Sequence, residues 1–156
     1  MSSKNFLVPW EPSWDASSCS RRAFLRYFKN SNYLANMDRS YSFLIFKIDD
    51  KTLLGGINVG NVRRGVAQSA SLGYWVGKNH ARNGYMKEAL QILIPTLFID
   101  LRLNRLEAAT LEENIASRNL LKKIGFKKEG VLRNYLKING TWRNHILYGL
   151  LENDLN

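Results

Sequence analysis

Residues 78–86, KNHARNGYM, hold the densest set of groups suited to binding an anion, and they open a long helical pattern. The first turn of a helix leaves about four backbone N–H groups without intrahelical partners, and the helix dipole makes that end partly positive. Where a glycine removes the side-chain obstacle, a phosphate can reach those amides directly. Here the candidate amides are those of Asn83, Gly84, Tyr85 and Met86, with Arg82 and Lys78 adding positive charge beside them. The alternative is a plain strand-to-helix turn in which Gly84 supplies an unusual backbone angle. The patterns G-x-G-x-x-G and G-x-x-x-x-G-K-[ST] are both absent, so an anion site here is a different pyrophosphate cradle.

A second constellation lies at 114–130, NIASRNLLKKIGFKKEG, a helix that starts at Asn114 and Ser117 and ends at Gly125-Phe126. A third surrounds NGTWRNH at 139–145, where Trp142, Arg143 and His145 follow Tyr135 across a turn. His145 titrates near neutrality and can relay a proton. Each of these has a structural use as well; Trp142 can cover Lys137 across a hairpin. Glu107, Glu112 and Glu113 are the acidic candidates for a general base. Cys19, His80 and His145 do not have metal-ligand spacing, and no metal is expected.

Taken in order, PWEP (9–12), GNVRRG (60–65), LGYWVG (72–77), the turn at 81–86, N-x-x-S (114–117), KKIGFKKEG (122–130) and NGTWRNH (139–145) form one pattern. It resembles the GNAT superfamily of acetyl-CoA-dependent N-acetyltransferases. Within it the sequence is most similar to the RimJ/RimL branch, which acetylates the N-terminal amines of ribosomal proteins. The resemblance implies that the pyrophosphate loop falls on Ala81 to Met86, with Gly84 as its central glycine. Ala81 replaces the usual first polar residue and Met86 the usual final small one. It further implies that Tyr74, Trp75 and Val76 run along the pantetheine arm, pairing through exposed strand backbone. Asn114 would contact the cofactor or order a water, and Arg118 and Asn119 would touch its distal part.

Acetyl transfer needs a neutral amine, a stabilised tetrahedral oxyanion and a proton for the departing thiolate. The resemblance assigns the proton to Ser117, since the position where many relatives carry a tyrosine is Leu121 here. The backbone N–H near Val76 would polarise the thioester carbonyl. An N-terminal amine has a pKa near ~8, so a weak base or a water chain is enough. Glu107 ranks first as that base, ahead of Glu112 and Glu113, with pairing to Arg105 or Arg102 as its alternative use. Tyr135, Trp142, Arg143 and His145 would line the acceptor groove. Relatives begin with a further strand that this chain starts beyond, so the expectation is an intact cofactor half, a more open acceptor site and an exposed sheet edge favouring self-association.

The elements that must position these residues can be read from periodicity. Ser17 or Ser18 is expected to cap a first helix running to about Met37, with Phe24, Leu25 and Phe28 as its buried stripe, after an extended or looped opening. Strands are expected at 41–48, 52–62 and 70–77, joined by turns at Asp49-Asp50-Lys51 and Arg63-Arg64-Gly65. Met86, Ala89, Leu90, Leu93, Ile94, Leu97, Phe98 and Leu101 draw one apolar stripe, with a kink or late break at Pro95. A strand at 105–111 and a helix from Ile115 to Ile124 follow, the latter closed by Gly125. Asn139-Gly140 predicts a type I′ hairpin that pairs Lys137 with Trp142, Leu136 with Arg143 and Tyr135 with Asn144. The fold class is α+β: a GNAT-like, mostly antiparallel central sheet flanked by helices, with a C-terminal β-hairpin.

The 156 residues suit one domain, and no apolar run approaches the ~18–20 residues of a membrane span. The N-terminus has no signal-peptide core and a single cysteine cannot form an internal disulfide, which favours the cytoplasm. The net charge of +10 suits polyanionic partners or plain solubility, but the cations are dispersed and no dedicated nucleic-acid motif is present. The partner that the resemblance implies is a protein N-terminus, ribosomal proteins included, with the chain a monomer or homodimer. A small-amine acetyltransferase acting on a polyamine or antibiotic is the alternative enzyme. A ribosome- or RNA-binding protein on an inactive acetyltransferase scaffold is the alternative from another class.

Overall fold

The computed structural model describes residues 3–14 and 17–155. A short helix α1 (Lys4–Leu7) runs into a 3-10 turn (Val8–Trp10), where an extended or looped opening was expected. Helix α2 (Arg21–Asn36) is followed by strands β1 (Tyr41–Phe46), β2 (Leu53–Arg63) and β3 (Ser69–Val76). A 3-10 turn (Lys78–His80) then leads into α3 (Tyr85–Ile99), β4 (Arg105–Thr110), α4 (Ile115–Lys123), β5 (Lys127–Ile138) and β6 (Thr141–Leu151). The strands form one sheet in the order β1-β2-β3-β4-β6-β5. Among the described residues, only β3 and β4 pair in parallel.

The core lies on one face of this sheet, where alternate strand residues meet α3 and α4. Ile57, Val59, Ala70, Leu72, Leu106, Ala108, Ile146, Tyr148 and Leu150 pack there against Leu90, Ile94, Leu97 and Phe98 of α3 and Leu121 of α4. Each large apolar side chain buried in this way contributes about 1.5–3 kcal/mol. The α3 stripe is the one expected, and the helix passes through Pro95 to end at Ile99. Gly125, at φ 99°, closes α4 in the left-handed conformation.

Helix α2 departs from expectation in two ways. Its cap is Ser20, whose Oγ accepts from the Ala23 N–H at 3.1 Å, not Ser17 or Ser18. Phe24, Leu25 and Phe28 are about half exposed instead of buried, at 52%, 46% and 53% of their full surface. The helix rests on the opposite sheet face, where the Tyr27 hydroxyl meets Ser42 Oγ at 3.0 Å. Its stripe marks a face that the described chain leaves largely uncovered. Asp38, just past its end, takes both Nε and Nη2 of Arg64 at 2.6 and 2.7 Å, tying α2 to the β2–β3 turn. That guanidinium also holds the Asp38 carboxyl below its usual range.

The C-terminal hairpin forms as predicted at its tip. Lys137 faces Trp142 and Leu136 faces Arg143, with Asn139 and Gly140 at φ 43° and 83°. The pairing of Tyr135 with Asn144 does not occur. The register breaks between Leu132 and Leu136, where Asn134 takes a left-handed conformation and its N–H donates to Asn144 Oδ1 at 2.8 Å. A bulge therefore re-aims Tyr135.

Candidate active site

The turn before α3 is built to leave amides free. Two residues in the left-handed region, Arg82 at φ 64° and Gly84 at φ 86°, bracket Asn83. Gly84 is the N-cap of α3 and offers no side chain to satisfy its first turn. The neighbouring amides are used: His80 donates to the Gly77 carbonyl at 2.9 Å, Ala81 to Lys78 at 3.4 Å and Glu88 to Gly84 at 3.1 Å. Among the described residues, the N–H groups of Asn83, Gly84, Tyr85 and Met86 meet no protein acceptor. A Cβ added at Gly84 would project into open space, touching no atom within 4 Å. Unpaired amides at a helix start under a glycine-cleared approach, with exposed Arg82 and Lys78 nearby, fit a pyrophosphate.

From this turn a row of backbone groups runs back along β3. Strands β3 and β4 pair only over Ser69–Ser71 against Arg105–Glu107, so the residues beyond are unpaired with one another. The Gly77 N–H donates to the Leu54 carbonyl at 2.8 Å while Val76 lies opposite Gly55, which fixes the phase of the β2–β3 ladder. In an antiparallel pair, residues flanking such a bond turn their own N–H and C=O away from the partner. Val76 and, two residues earlier, Tyr74 therefore present their backbone to the gap beside β4. Trp75 lies on the alternate phase and is committed to Gly56 of β2. Of the three residues expected along the arm, Tyr74 and Val76 can pair with an extended ligand by their main chain and Trp75 cannot.

Helix α4 brings a hydroxyl and an amide side chain up to β3. Asn114 caps it, its Oδ1 accepting from the Ser117 N–H at 3.1 Å, which leaves the Asn114 amide group as a donor. The Ser117 hydroxyl lies 2.8 Å from the Tyr74 hydroxyl of β3. Burial pushes the Tyr74 phenol up to about 12, against a lowering by the Ser117 bond and with a further rise from nearby Tyr148. Leu121 is buried at 1% and presents no hydroxyl. Arg118 Nη1 donates to the Glu112 carbonyl at 2.8 Å, while its buried Nε has no described partner. Asn119 is exposed on the outer helix surface.

Glu107 and His145 sit on the other sheet face. Glu107 alternates with buried Leu106 and Ala108 and so points away from α4. Both of its oxygens are occupied: Oε1 accepts from Arg105 Nε at 2.9 Å and Oε2 from Arg63 Nη2 at 3.0 Å. Arg105 also grips Glu129 on β5, so the set braces β2, β4 and β5 across the sheet. Arg105 was among the partners expected for Glu107; Arg63 was not. Glu113 pairs with Arg143. His145 is buried at 3% and its Nδ1 lies 3.0 Å from the Arg143 carbonyl, which places the ring proton on Nδ1 and the lone pair of the neutral form on Nε2. Burial lowers its pKa, partly offset by the contact with that carbonyl. The ring also packs edge-on to Tyr135 at 5.8 Å. Trp142 is exposed at the hairpin.

An acetyltransferase (GNAT) domain family model matches residues 2–127. The chain is 34% identical over 151 residues to the [Ribosomal protein uS5]-alanine N-acetyltransferase of Escherichia coli (strain K12), covering 97% of this chain and 78% of that protein. It is 38% identical over 117 residues to the "Probable N-acetyltransferase YjcK" of Bacillus subtilis (strain 168), where the match covers 75% of this chain and 65% of that protein. Among solved structures, Mycobacterium smegmatis RimJ in complex with CoA-disulfide superposes with a TM-score of 0.93 at 31% identity, over 98% of this chain and 74% of that one. The ribosomal-protein-S5-alanine acetyltransferase from Vibrio fischeri gives 0.92 at 26% identity, over 100% and 85%.

Proposed function

The chain belongs to the GNAT acetyltransferase family, and from that premise we propose that it moves the acetyl group of acetyl-CoA to the N-terminal α-amine of a protein, with a ribosomal protein as the acceptor class. Acetyl-CoA supplies the activated thioester and, after transfer, leaves as the thiol. The observation that carries the reading is two sets of backbone donors left free of protein acceptors, the amides of 83–86 at the start of α3 and those of Val76 and Tyr74 on β3, with the Ser117 hydroxyl at 2.8 Å from the Tyr74 phenol. Main-chain donors at one end suit a pyrophosphate, and strand backbone along the gap suits the amides of a pantetheine arm. The Val76 N–H is the donor available to a thioester carbonyl, where it would stabilise developing negative charge. Ser117 is the hydroxyl donor at the same end. His145 is a neutral base candidate on the sheet face away from α4, and Glu107 serves on that face as a brace between two guanidiniums.

The acceptor assignment rests on similarity to enzymes described as acting on ribosomal proteins. Incubation with acetyl-CoA and a panel of N-terminal peptides, including ribosomal-protein sequences that begin with alanine or serine, is expected to add one acetyl mass to a subset of them. Acetylation of spermidine or other small amines alone would overturn the protein acceptor. Absence of any turnover, together with no thermal stabilisation by coenzyme A, would overturn the enzyme reading itself.

A further inference from the structure

The hydroxyl pair between β3 and α4 has a consequence for how Ser117 is used. Tyr74 and Ser117 stand 43 positions apart and meet at 2.8 Å between β3 and α4, and neither hydroxyl has another described partner. One of two arrangements holds: Ser117 donates to Tyr74, or Tyr74 donates to Ser117. If Ser117 donated inward, its only proton would be committed to the phenol and unavailable to a thiolate. If Tyr74 donates, the phenol proton occupies a Ser117 lone pair, and the Ser117 proton turns outward to the gap.

We propose, resting on the acetyl-transfer reading above, that Tyr74 is a positioning residue whose phenol donates to Ser117 Oγ and aims the Ser117 proton at the departing sulfur. Its place on β3 suits this task. The same residue turns its backbone to the gap, so the strand that would hold the pantetheine arm also sets the rotamer of the hydroxyl at its end. With the phenol pushed up to about 12, Tyr74 keeps its proton across the neutral and mildly alkaline range. It therefore remains a donor throughout and is not itself the source of the transferred proton. The balance of the reaction agrees: a C–N bond forms, the C–S bond breaks, and one proton passes from the amine side to sulfur through Ser117. Tyr74 neither gains nor loses one.

The test is a double-mutant cycle with Tyr74→Phe and Ser117→Ala, read in two ways. In the ligand-free chain, urea unfolding is expected to show that the double variant is no less stable than the worse single variant, because either change already breaks the bond. In steady-state kinetics, with whichever amine the chain acetylates, Tyr74→Phe is expected to lower kcat about tenfold. Its KM for acetyl-CoA should stay within about twofold, and the double variant should be no slower than Ser117→Ala alone. Additive stability losses, or additive rate losses, would overturn the coupling. A Tyr74→Phe variant with wild-type kcat beside an impaired Ser117→Ala variant would overturn the role of Tyr74 and leave Ser117 in place. A Ser117→Ala variant with wild-type kcat would overturn both. Peptides going unmodified while a small amine is acetylated overturns only the acceptor assignment, and the cycle is then scored on that amine.

Discussion

Replacing Gly84 with valine tests the main-chain cradle directly, because the two effects of the substitution separate in measurement. Gly84 sits at φ 86° and ψ −11°, and the space beside it is open. Valine therefore meets no steric wall; it meets a backbone penalty of about 1–2 kcal/mol for the left-handed region. At about 2–4 °C per kcal/mol for a chain of this size, Tm should fall by about 2–8 °C. If the turn instead relaxes to negative φ, the amides of Gly84 and Tyr85 rotate out of the cradle. A hydrogen bond to a charged group contributes about 1.5–3 kcal/mol, so losing one weakens coenzyme A binding by about 10- to 150-fold. Even an unrelaxed valine projects its methyls into the approach that glycine leaves clear. Titration calorimetry with coenzyme A and with pantetheine, which lacks the pyrophosphate, distinguishes the causes. Coenzyme A affinity should fall by at least about tenfold while pantetheine affinity stays within about twofold. Equal losses for both ligands, or coenzyme A affinity within about threefold of wild type, would refute the cradle.

Three further outcomes follow from the same geometry. Met86→Ala should leave coenzyme A affinity within about threefold yet cost about 2–5 kcal/mol in urea unfolding, because the Met86 side chain is buried at 7% while its N–H belongs to the cradle; the reverse pattern would put the side chain in the site. Glu107→Gln should keep kcat within about fivefold and lower the unfolding midpoint, since its oxygens already hold Arg63 and Arg105; a loss of about a hundredfold or more with unchanged stability would make it the general base. For His145, burial sets the folded pKa below the ordinary 6.5, so the unfolded chain binds the extra proton and stability falls as pH drops below about 6.5. Tm measured from pH 7.5 to 5 should therefore fall more steeply for wild type than for His145→Asn, and equal slopes would refute this.

Elements whose signal is local were legible in the residues. The α3 stripe, the Gly125 stop and the Asn139-Gly140 turn each depend on a few adjacent side chains and formed where expected. What depends on partners was not legible. The pattern at Phe24, Leu25 and Phe28 gives α2 an apolar face, but periodicity does not say what covers that face, and here little does. Ser17, Ser18 and Ser20 have equal capping chemistry, and only the register of the helix selects Ser20. Tyr135 lost its predicted partner to a bulge stabilised by the Asn144 side chain, a contact with no composition signal. The Tyr74–Ser117 bond joins residues that only the tertiary fold brings together. The same holds for the phase of the β3 amides, which separates Trp75 from Tyr74 and Val76.

Under the proposed reading, a division of labour at the site accommodates Ala81 and Met86 in the loop. A pyrophosphate held by main-chain N–H groups would constrain backbone angles and not side-chain identity, so the proposed cradle depends on φ at Arg82 and Gly84 more than on the side chains at 81 or 86. Met86 turns its side chain to the core and its amide outward, so a large residue at that position adds packing without entering the cradle. Proton handling is different, because it needs a specific atom in a specific direction. In the proposed transfer that demand falls on two hydroxyls, on a strand and a helix whose Leu72 and Leu121 share one buried cluster with Tyr148. Backbone recognition at one end and a side-chain pair at the other therefore separate affinity from rate: changes at 83–86 should act on cofactor binding, and changes at 74 and 117 on turnover.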